Sequence, residues 1–434
     1  MEEVKKITGE VKISEYIIRD IQKKIKNIAD FKTKIESSLT KNVTELLEII
    51  LAGSIILDSS DIHIEPEEEK AKFRIRIDGI LQDVTIFDLK IYKNLVSRIK
   101  LLSGLKINVT DRPQDGRFSI LMAETPIEIR GSSLPAEYGE AVVLRILNPK
   151  SLIDIEVLGL RDDLLEIFKK EIKKPNGMII VTGPTGSGKT TTLYAFLKKI
   201  NNPEIKIITI EDPIEYHLKG ISQTQVDPQR GYDFANGLRA LMRQDPDVVL
   251  VGEIRDLETA NIALQASLTG HLVLSTLHTN DAAGTIARLQ ALGENPINIA
   301  PAINMAIAQR LVRKVCKKCL EFKKVSPTDL IKIKKALKGL PKEVKVPKLT
   351  NETKIPQAKG CKDCNFTGYR GRVGIYEAFL VDDEIEKFIL TSPSIVDLRE
   401  LAAKKGMVPM RQDGFIKVLN GITTIEEVER TTTE

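Results

Sequence analysis

Met178-Ile-Ile-Val-Thr182 runs straight into Gly183-Pro184-Thr185-Gly186-Ser187-Gly188-Lys189-Thr190, and the residues from Thr191 to Lys199 then take helical spacing. The turn fits G-x-x-x-x-G-K-[ST] in full, between the strand and the helix that the motif requires. Glycines there let backbone N–H groups curl around phosphates, and the start of the helix adds positive potential. In such a turn Lys189 meets the β- and γ-phosphates of a nucleoside triphosphate such as ATP, and the Thr190 hydroxyl ligates Mg²⁺. Gly183 through Thr191 are therefore the candidate phosphate-binding residues. A glycine-rich turn that binds nothing is the alternative, but it leaves the register of strand, lysine, threonine and helix unexplained.

Outward from this turn, the chain from about Leu164 to Arg310 alternates buried strand and helix. Met178–Thr182, Lys206–Ile210, Val248–Val251 and Leu272–Leu277 are short, nearly continuous apolar runs, the pattern of parallel strands covered on both faces. Carboxylates at the C-terminal ends of such strands sit where open α/β sheets bind ligands. Glu253 lies just past Val248–Val251, and Glu211 and Glu215 follow the strand ending at Ile210. His271 and His278 bracket Leu272–Leu277, and either is a candidate sensor of the γ-phosphate, with a hydrogen-bonded structural histidine as the alternative. Arg239 and Arg243 are one helical turn apart on a predicted helix, placed to hold phosphate, pair with a neighbouring subunit or face solvent. Arg130 and Arg145 lie on predicted strands nearer the N-terminus, where charge aimed at a nucleotide would stabilise the transition state.

Composition frames these sites. The chain has 434 residues, is 42% hydrophobic and 29% charged, and carries a net charge of only +5. It has no tryptophan and 5% aromatic residues, so base-stacking platforms are few and direct nucleic-acid binding is not expected. The start lacks a signal-peptide core and no run is long enough to span a bilayer, which places the chain in the cytoplasm. Residues 1–41 read as a Lys/Glu-rich leader of one or two short amphipathic helices followed by a linker, with a solvated face as the plain expectation. Residues 42–150, with alternating runs such as Asp61–Glu65 and Lys72–Asp78, read as a mixed α+β domain. The α/β core spans 151–310, a cysteine-bearing segment 311–376, and a helical C-terminal region 377–434. Cys316, Cys319, Cys361 and Cys364 form two C-x-x-C pairs with none spare, the donor set of a closed structural Zn²⁺ site. From Leu311 to Lys348 there are thirteen Lys/Arg against three Asp/Glu, a local +10 suited to an anionic partner or simply to water.

Further stretches carry a family resemblance. Ile210-Glu-Asp-Pro-Ile-Glu-Tyr216 resembles the Asp box, Val249-Leu-Val-Gly-Glu253 the Walker B segment, and Gly270-His-Leu-Val-Leu-Ser-Thr-Leu-His278 the His box of the secretion and type IV pilus assembly ATPases. Ser60-Asp-Ile-His-Ile-Glu-Pro66, Arg74-Ile-Arg-Ile-Asp-Gly79 and Gln114-Asp-Gly-Arg117 match that family's N-terminal domain. The resemblance runs from about Asn42 to Thr433. It implies a PAS-like domain hinged to a RecA-like P-loop ATPase domain, a small zinc subdomain, a helical C-terminus and a homo-hexameric ring. It further implies Arg130 and Arg145 at the γ-phosphate, Arg239 and Arg243 as the arginine pair of the ATPase domain, and Glu215 or Glu253 activating water and holding Mg²⁺. The implied work is pilin or pseudopilin assembly through an inner-membrane platform protein, by an enzyme peripheral to the inner face of the cytoplasmic membrane. The four cysteines resemble the assembly branch and not the retraction motors. The short leader leaves docking to a cytoplasmic adaptor open. A retraction or DNA-translocating motor of the same superfamily is the nearest alternative, and a zinc-containing nucleic-acid-binding protein the more distant one.

Overall fold

The computed structural model describes residues 9–122, 125–149 and 152–433. The chain divides into two compact units, one of residues 1–151 with 316–319 and 359–370, the other of the remainder.

The first unit is built from β1 (Glu10–Lys12), α1 (Glu15–Lys24), α2 (Ile28–Glu36), α3 (Val43–Ile56), β2 (Ser59–Pro66), β3 (Lys70–Ile77), β4 (Ile80–Asp88), α4 (Leu89–Leu102), β5 (Gln114–Met122), β6 (Thr125–Ala136) and β7 (Gly139–Leu147). Each helix starts where a short polar side chain accepts an amide of the first turn: Ser14, Asn27, Asn42 and Asp88. The strands form one sheet in the order β1-β5-β6-β7-β2-β3-β4, antiparallel except for β1 on β5. Alternation along β2 buries Ile62 and Ile64 against the helices and leaves Asp61, His63 and Glu65 on the opposite face.

The expected leader is corrected here. Its residues 1–8 lie outside the described ones, but Ile17, Ile18, Ile21, Ile25, Phe31 and Ile35 are all buried in the core of this unit. Phe31 meets Phe73 edge to face at 5.9 Å, and Phe73 stacks on Phe87. A Cβ on Gly53, in the middle of α3, would stand 2.2 Å from the Phe31 ring, so glycine is what lets that ring lie against the helix. The lysines and glutamates that suggested a solvated segment occupy only the outer faces of α1 and α2.

The second unit runs through α5 (Asp162–Glu171), β8 (Gly177–Thr182), α6 (Lys189–Ile200), β9 (Ile207–Glu211), β10 (Ser222–Gln225), α7 (Phe234–Met242), β11 (Val248–Val251), α8 (Leu257–Leu268), β12 (Leu272–Leu277), α9 (Gly284–Leu292), α10 (Pro296–Ala302) and β13 (Ile303–Val315). It continues with β14 (Leu320–Lys324), α11 (Pro327–Ala336), β15 (Lys354–Ala358), β16 (Tyr369–Leu380), α12 (Asp383–Ile389), α13 (Ile395–Lys404), α14 (Met410–Leu419) and α15 (Ile425–Thr432). Its sheet has the order β10-β9-β11-β12-β8-β13-β16, and every pair from β10 to β13 is parallel. Met178 and Ile180 point into one apolar layer and Ile179 and Val181 into the other, which is why these strands read as unbroken apolar runs.

The four expected strands are β8, β9, β11 and β12; β10, β13 and β16 extend the same sheet beyond them. The segment 311–376 is not one body: residues 320–358 belong with this second unit, whereas the two cysteine pairs belong with the first.

Two buried acids tie the C-terminal helices to the sheet. Asp413 accepts from Arg161 Nη1 at 2.9 Å, Lys417 Nζ at 2.6 Å and the Tyr376 amide at 2.8 Å. Glu427, 1% exposed, accepts from the backbone and guanidinium of Arg313 and from Arg430. Burial opposes ionisation of Glu427, but Arg430 and Arg313 more than offset it and hold the carboxyl down to about 2. A depressed pKa contributes stability that is complete above the unfolded-state value and is lost as pH falls through the folded one. Between pH about 4.5 and about 2, the Glu427→Gln variant should therefore lose less stability in urea unfolding than the native chain, by on the order of 2 kcal/mol after allowance for solvent screening. Parallel stability profiles across that window would contradict the assignment.

Candidate functional site

The turn after β8 is shaped by its glycines. Gly183, Gly186 and Gly188 all have positive φ, at 144°, 79° and 91°. A Cβ on Gly183 would stand 2.6 Å from the Gln309 carbonyl oxygen, so the backbones pass too closely there for any side chain. Gly188 is the N-cap of α6 and supplies no side-chain cap, which leaves the amides at the helix start available to a ligand. Pro184, Thr185 and Gly186 are exposed at the crest, Thr190 and Thr191 half-buried behind them. The Ser187 Oγ is buried without a hydrogen-bond partner. Lys189 Nζ folds back onto the carbonyls of Gly183 (2.8 Å) and Pro184 (3.2 Å). Burial pulls the Lys189 ammonium below its usual range, against the opposing field of Glu253. Open amides, an orphaned hydroxyl and a desolvated cation together fit the phosphates of a nucleotide, and Thr190 stands where the motif places its Mg²⁺ ligand.

Gln309 carries a role that sequence reasoning missed. From β13, which pairs directly with β8, its Nε2 donates to the Ser187 carbonyl at 2.7 Å and its Oε1 accepts from Thr192 Oγ1 at 2.7 Å. The side chain, 1% exposed, thus fixes both the turn and the first turn of α6. The available signal was the switch from Met305-Ala-Ile-Ala308 to Gln309-Arg310, an apolar strand with a polar tip like the others. On the other side Thr182 Oγ1 donates to the Leu277 carbonyl and accepts from the Thr279 amide, joining the ends of β8 and β12.

Of the acids, Glu253 is the one associated with this turn. It follows β11, pairs with Arg255, and lies 3.5 Å from His278 Nε2. Burial and the nearby Lys189 charge lower the His278 pKa, favouring the neutral ring. Glu211 is instead an interior post, 3% exposed and accepting from Tyr194, Thr209 and Gln223. Burial raises its pKa. With both oxygens engaged it secures β9 to α6, and the expectation that it contacts nucleotide is corrected accordingly. Glu215 lies half-buried beyond it, its amide 3.4 Å from the Tyr194 hydroxyl.

Three other candidates of this second unit stand elsewhere. The β8–β12 register pairs Gly177 with Leu272 and Thr182 with Leu277, so His278 is at the phosphate end and His271 at the other. Six strand residues separate the histidines by about 20 Å. His271 Nδ1 lies 3.1 Å from the Ala266 carbonyl at the end of α8, so it is no γ-phosphate sensor in its own chain. Arg239 pairs with Glu258, and Arg243, at the C-cap of α7, donates to the Arg239 carbonyl. Neither arginine is brought to Lys189, Glu253 or His278. In the first unit Arg130 and Arg145 are direct neighbours on β6 and β7, and Asp61 accepts from Arg145 Nε at 3.1 Å and pairs with Arg76.

The four cysteine sulfurs lie within 4.8 Å of one another. Cys364 Sγ is 3.8 Å from both Cys319 and Cys361, the edge length that Zn–S bonds of about 2.3 Å give a tetrahedron. Burial opposes thiolate formation at Cys364, but the amides of Cys361 and Gly368 aim at its sulfur and bring the pKa below its usual value. Asn365, in the same knuckle, accepts from the Ile28 amide at 2.7 Å and so docks the knuckle on α2.

The family model described as "Type II/IV secretion system protein" matches residues 36–430. The chain is 44% identical over 393 residues to the "Type II secretion system protein E" of Pectobacterium carotovorum, covering 90% of this chain and 76% of that protein. It is also 44% identical over 386 residues to the "Type IV pilus assembly ATPase PilB" of Thermus thermophilus, covering 89% of this chain but 42% of that one. Among solved structures, the pilus retraction motor PilT with bound ADP aligns with a TM-score of 0.60 at 27% identity, over 89% of this chain and 96% of PilT. The Legionella pneumophila ATPase DotB shares the fold, with a TM-score of 0.64 at 22% identity over 90% of this chain and 96% of its own.

Replacing Gln309 with leucine keeps its bulk but removes the donor to the Ser187 carbonyl and the acceptor for the Thr192 hydroxyl. Titration with a fluorescent ATP analogue should show affinity reduced about tenfold or more, with unchanged circular dichroism. Native affinity would remove Gln309 from the site.

Proposed function

We propose that this chain, which belongs to the type II/IV secretion system protein family, is an ATP-hydrolysing motor that drives pilin or pseudopilin assembly. The observation that carries the reading is the glycine-shaped turn with Lys189 and α6 behind it, beside Glu253 and His278 at the same end of the sheet. ATP lies with its phosphates on the amides of the turn, and Lys189 exchanges its two carbonyl contacts for phosphate oxygens. Mg²⁺, held through Thr190, would neutralise phosphate charge. Glu253 orients the attacking water, with Glu215 as the other candidate acid, and the neutral ring of His278 hydrogen-bonds at the γ-phosphate end. Arg130 and Arg145, neighbours on β6 and β7 with Asp61 holding Arg145, are the arginines the family reading assigns to transition-state charge.

The working form is a homo-hexamer in which Arg239 and Arg243 serve a neighbouring subunit. A conformational stroke driven by hydrolysis is delivered to an inner-membrane platform protein. No helix among the described residues is long and apolar enough to cross a membrane, and the motor acts from the cytoplasm at the inner face of that membrane. A retraction or DNA-translocating motor is the second reading, favoured by the likeness to PilT. The sulfur cluster supports assembly, and we assign it to a structural Zn²⁺.

Purified Lys189→Ala and Glu253→Gln variants should each lose at least about a hundredfold in ATP turnover while melting near the native temperature. Native rates in either would reject the site. Metal analysis should find one Zn²⁺ per chain, and Cys316→Ser with Cys361→Ser should abolish it. A full complement of zinc in that double variant would overturn the assignment.

A further inference from the structure

Two residues of Gln114-Asp-Gly-Arg117 fix the start of β5 from its helix-covered side. Gln114 Nε2 donates to the carbonyls of Lys106 and Val109, and its Oε1 accepts from the Lys106 amide. A Cβ on Gly116 would stand 2.2 Å from the Ser103 carbonyl oxygen, so only glycine lets β5 pass the end of α4. Alternation then turns Arg117 to the open face of the sheet, its side chain 52% exposed. There the register sets Arg117 opposite Arg130, Arg130 opposite Arg145, Arg145 opposite Asp61 and Asp61 opposite Arg76. Three arginines thus stand in one cross-strand row about 10 Å long. Like charges set directly opposite one another destabilise a sheet, so the row costs stability until an anion joins it. We propose that the row binds the terminal phosphates of ATP as one clamp, and that Arg117 is its third arginine.

Charge and shape select that ligand. A guanidinium fork grips two phosphate oxygens at once, through hydrogen bonds stronger than those between neutral groups. In phosphoryl transfer the negative charge spreads over three oxygens of the departing group, and several forks aimed at one place suit it better than one. Asp61 offsets the far end of the row, 3.1 Å from Arg145 Nε and 3.3 Å from Arg76 Nε. At the near end Arg117 pairs with Glu128 at 3.8 Å, longer than a hydrogen bond, so the pairing yields readily to phosphate. Asp115 and Glu128 stand in the strand rows on either side of the arginines, opposite Ser132 and Ser119. The cationic band is therefore one residue wide. It admits a compact polyphosphate and repels the broad phosphate array of a nucleic acid or a bilayer. The inference rests on the ATPase reading above for the source of the phosphates, and adds Arg117 to the two arginines which that reading uses.

The test is steady-state ATP turnover by the full chain and by its Arg117→Gln, Arg117→Lys, Arg145→Gln and Glu128→Gln variants. Arg117→Gln should lower kcat by about tenfold or more, the loss expected for one hydrogen bond to a charged group. KM should stay near native, as for a contact made in the transition state. Arg117→Lys keeps the charge without the fork and should recover part of the rate. Glu128→Gln should turn over at the native rate or faster. Without ligand, Arg117→Gln should melt no lower than the native chain, because it relieves a like-charge contact. Native kcat in Arg117→Gln beside a loss in Arg145→Gln would overturn the inference and leave the ATPase reading standing. Native kcat in both would overturn it together with the role given to Arg145. A matching loss in Glu128→Gln, or an Arg117→Gln chain that melts well below native, would make Arg117 a structural partner of that acid and overturn the clamp.

Discussion

The turn between β8 and α6 must hold one shape while the amides that open the helix carry no side-chain cap. Empty backbone donors are costly to bury and tend to collapse onto any acceptor nearby. The chain resolves this from the rear. Gln309 takes the Ser187 carbonyl and the Thr192 hydroxyl, Thr182 spans the tips of β8 and β12, and Lys189 rests on two loop carbonyls. Side chains satisfy the Gly183, Pro184 and Ser187 carbonyls, Pro184 also taking the Ser187 amide, and no side chain caps the start of α6. The parallel register of β12, β8 and β13 makes this possible, because it places three strand tips within reach of one turn.

The same register separates the residues that stand near the turn from those that merely resemble them in sequence. Glu253 and Glu211 both follow apolar strands, yet one pairs with an exposed arginine and the other is sealed by three donors. His278 and His271 flank one strand and therefore lie at its two ends. Spacing along a sequence counts residues but not direction, and in a parallel sheet only one end of each strand faces the ligand.

The core sheet was legible because strands covered on both faces must be continuously apolar, and Met178–Thr182, Val248–Val251 and Leu272–Leu277 are so. β13 was harder to see: Ile303-Asn-Met-Ala-Ile-Ala-Gln309 mixes alanine and polar residues, and strand preference there comes from neighbours rather than from the residues themselves. The N-terminal segment misled for a different reason. Ile17, Ile18, Ile21 and Ile25 hold the helical spacing of a buried face, but the surrounding lysines and glutamates dominate composition, which averages over faces. The cysteine pairs were plain as a donor set, whereas their membership of the first unit depends on contacts such as that between Asn365 and Ile28, which no spacing encodes.

The meeting of those pairs also has an architectural effect. Residues 320–358, with β14, α11 and β15, leave and return through two sulfur knuckles whose ligand atoms touch. The excursion is therefore narrow at its base, while Leu330 and Ile333 of α11 seat it on Phe415, Val418 and Val428 of α14 and α15. Length and charge are free to vary in the largely exposed loop between α11 and β15, but not where α11 packs on α14 and α15.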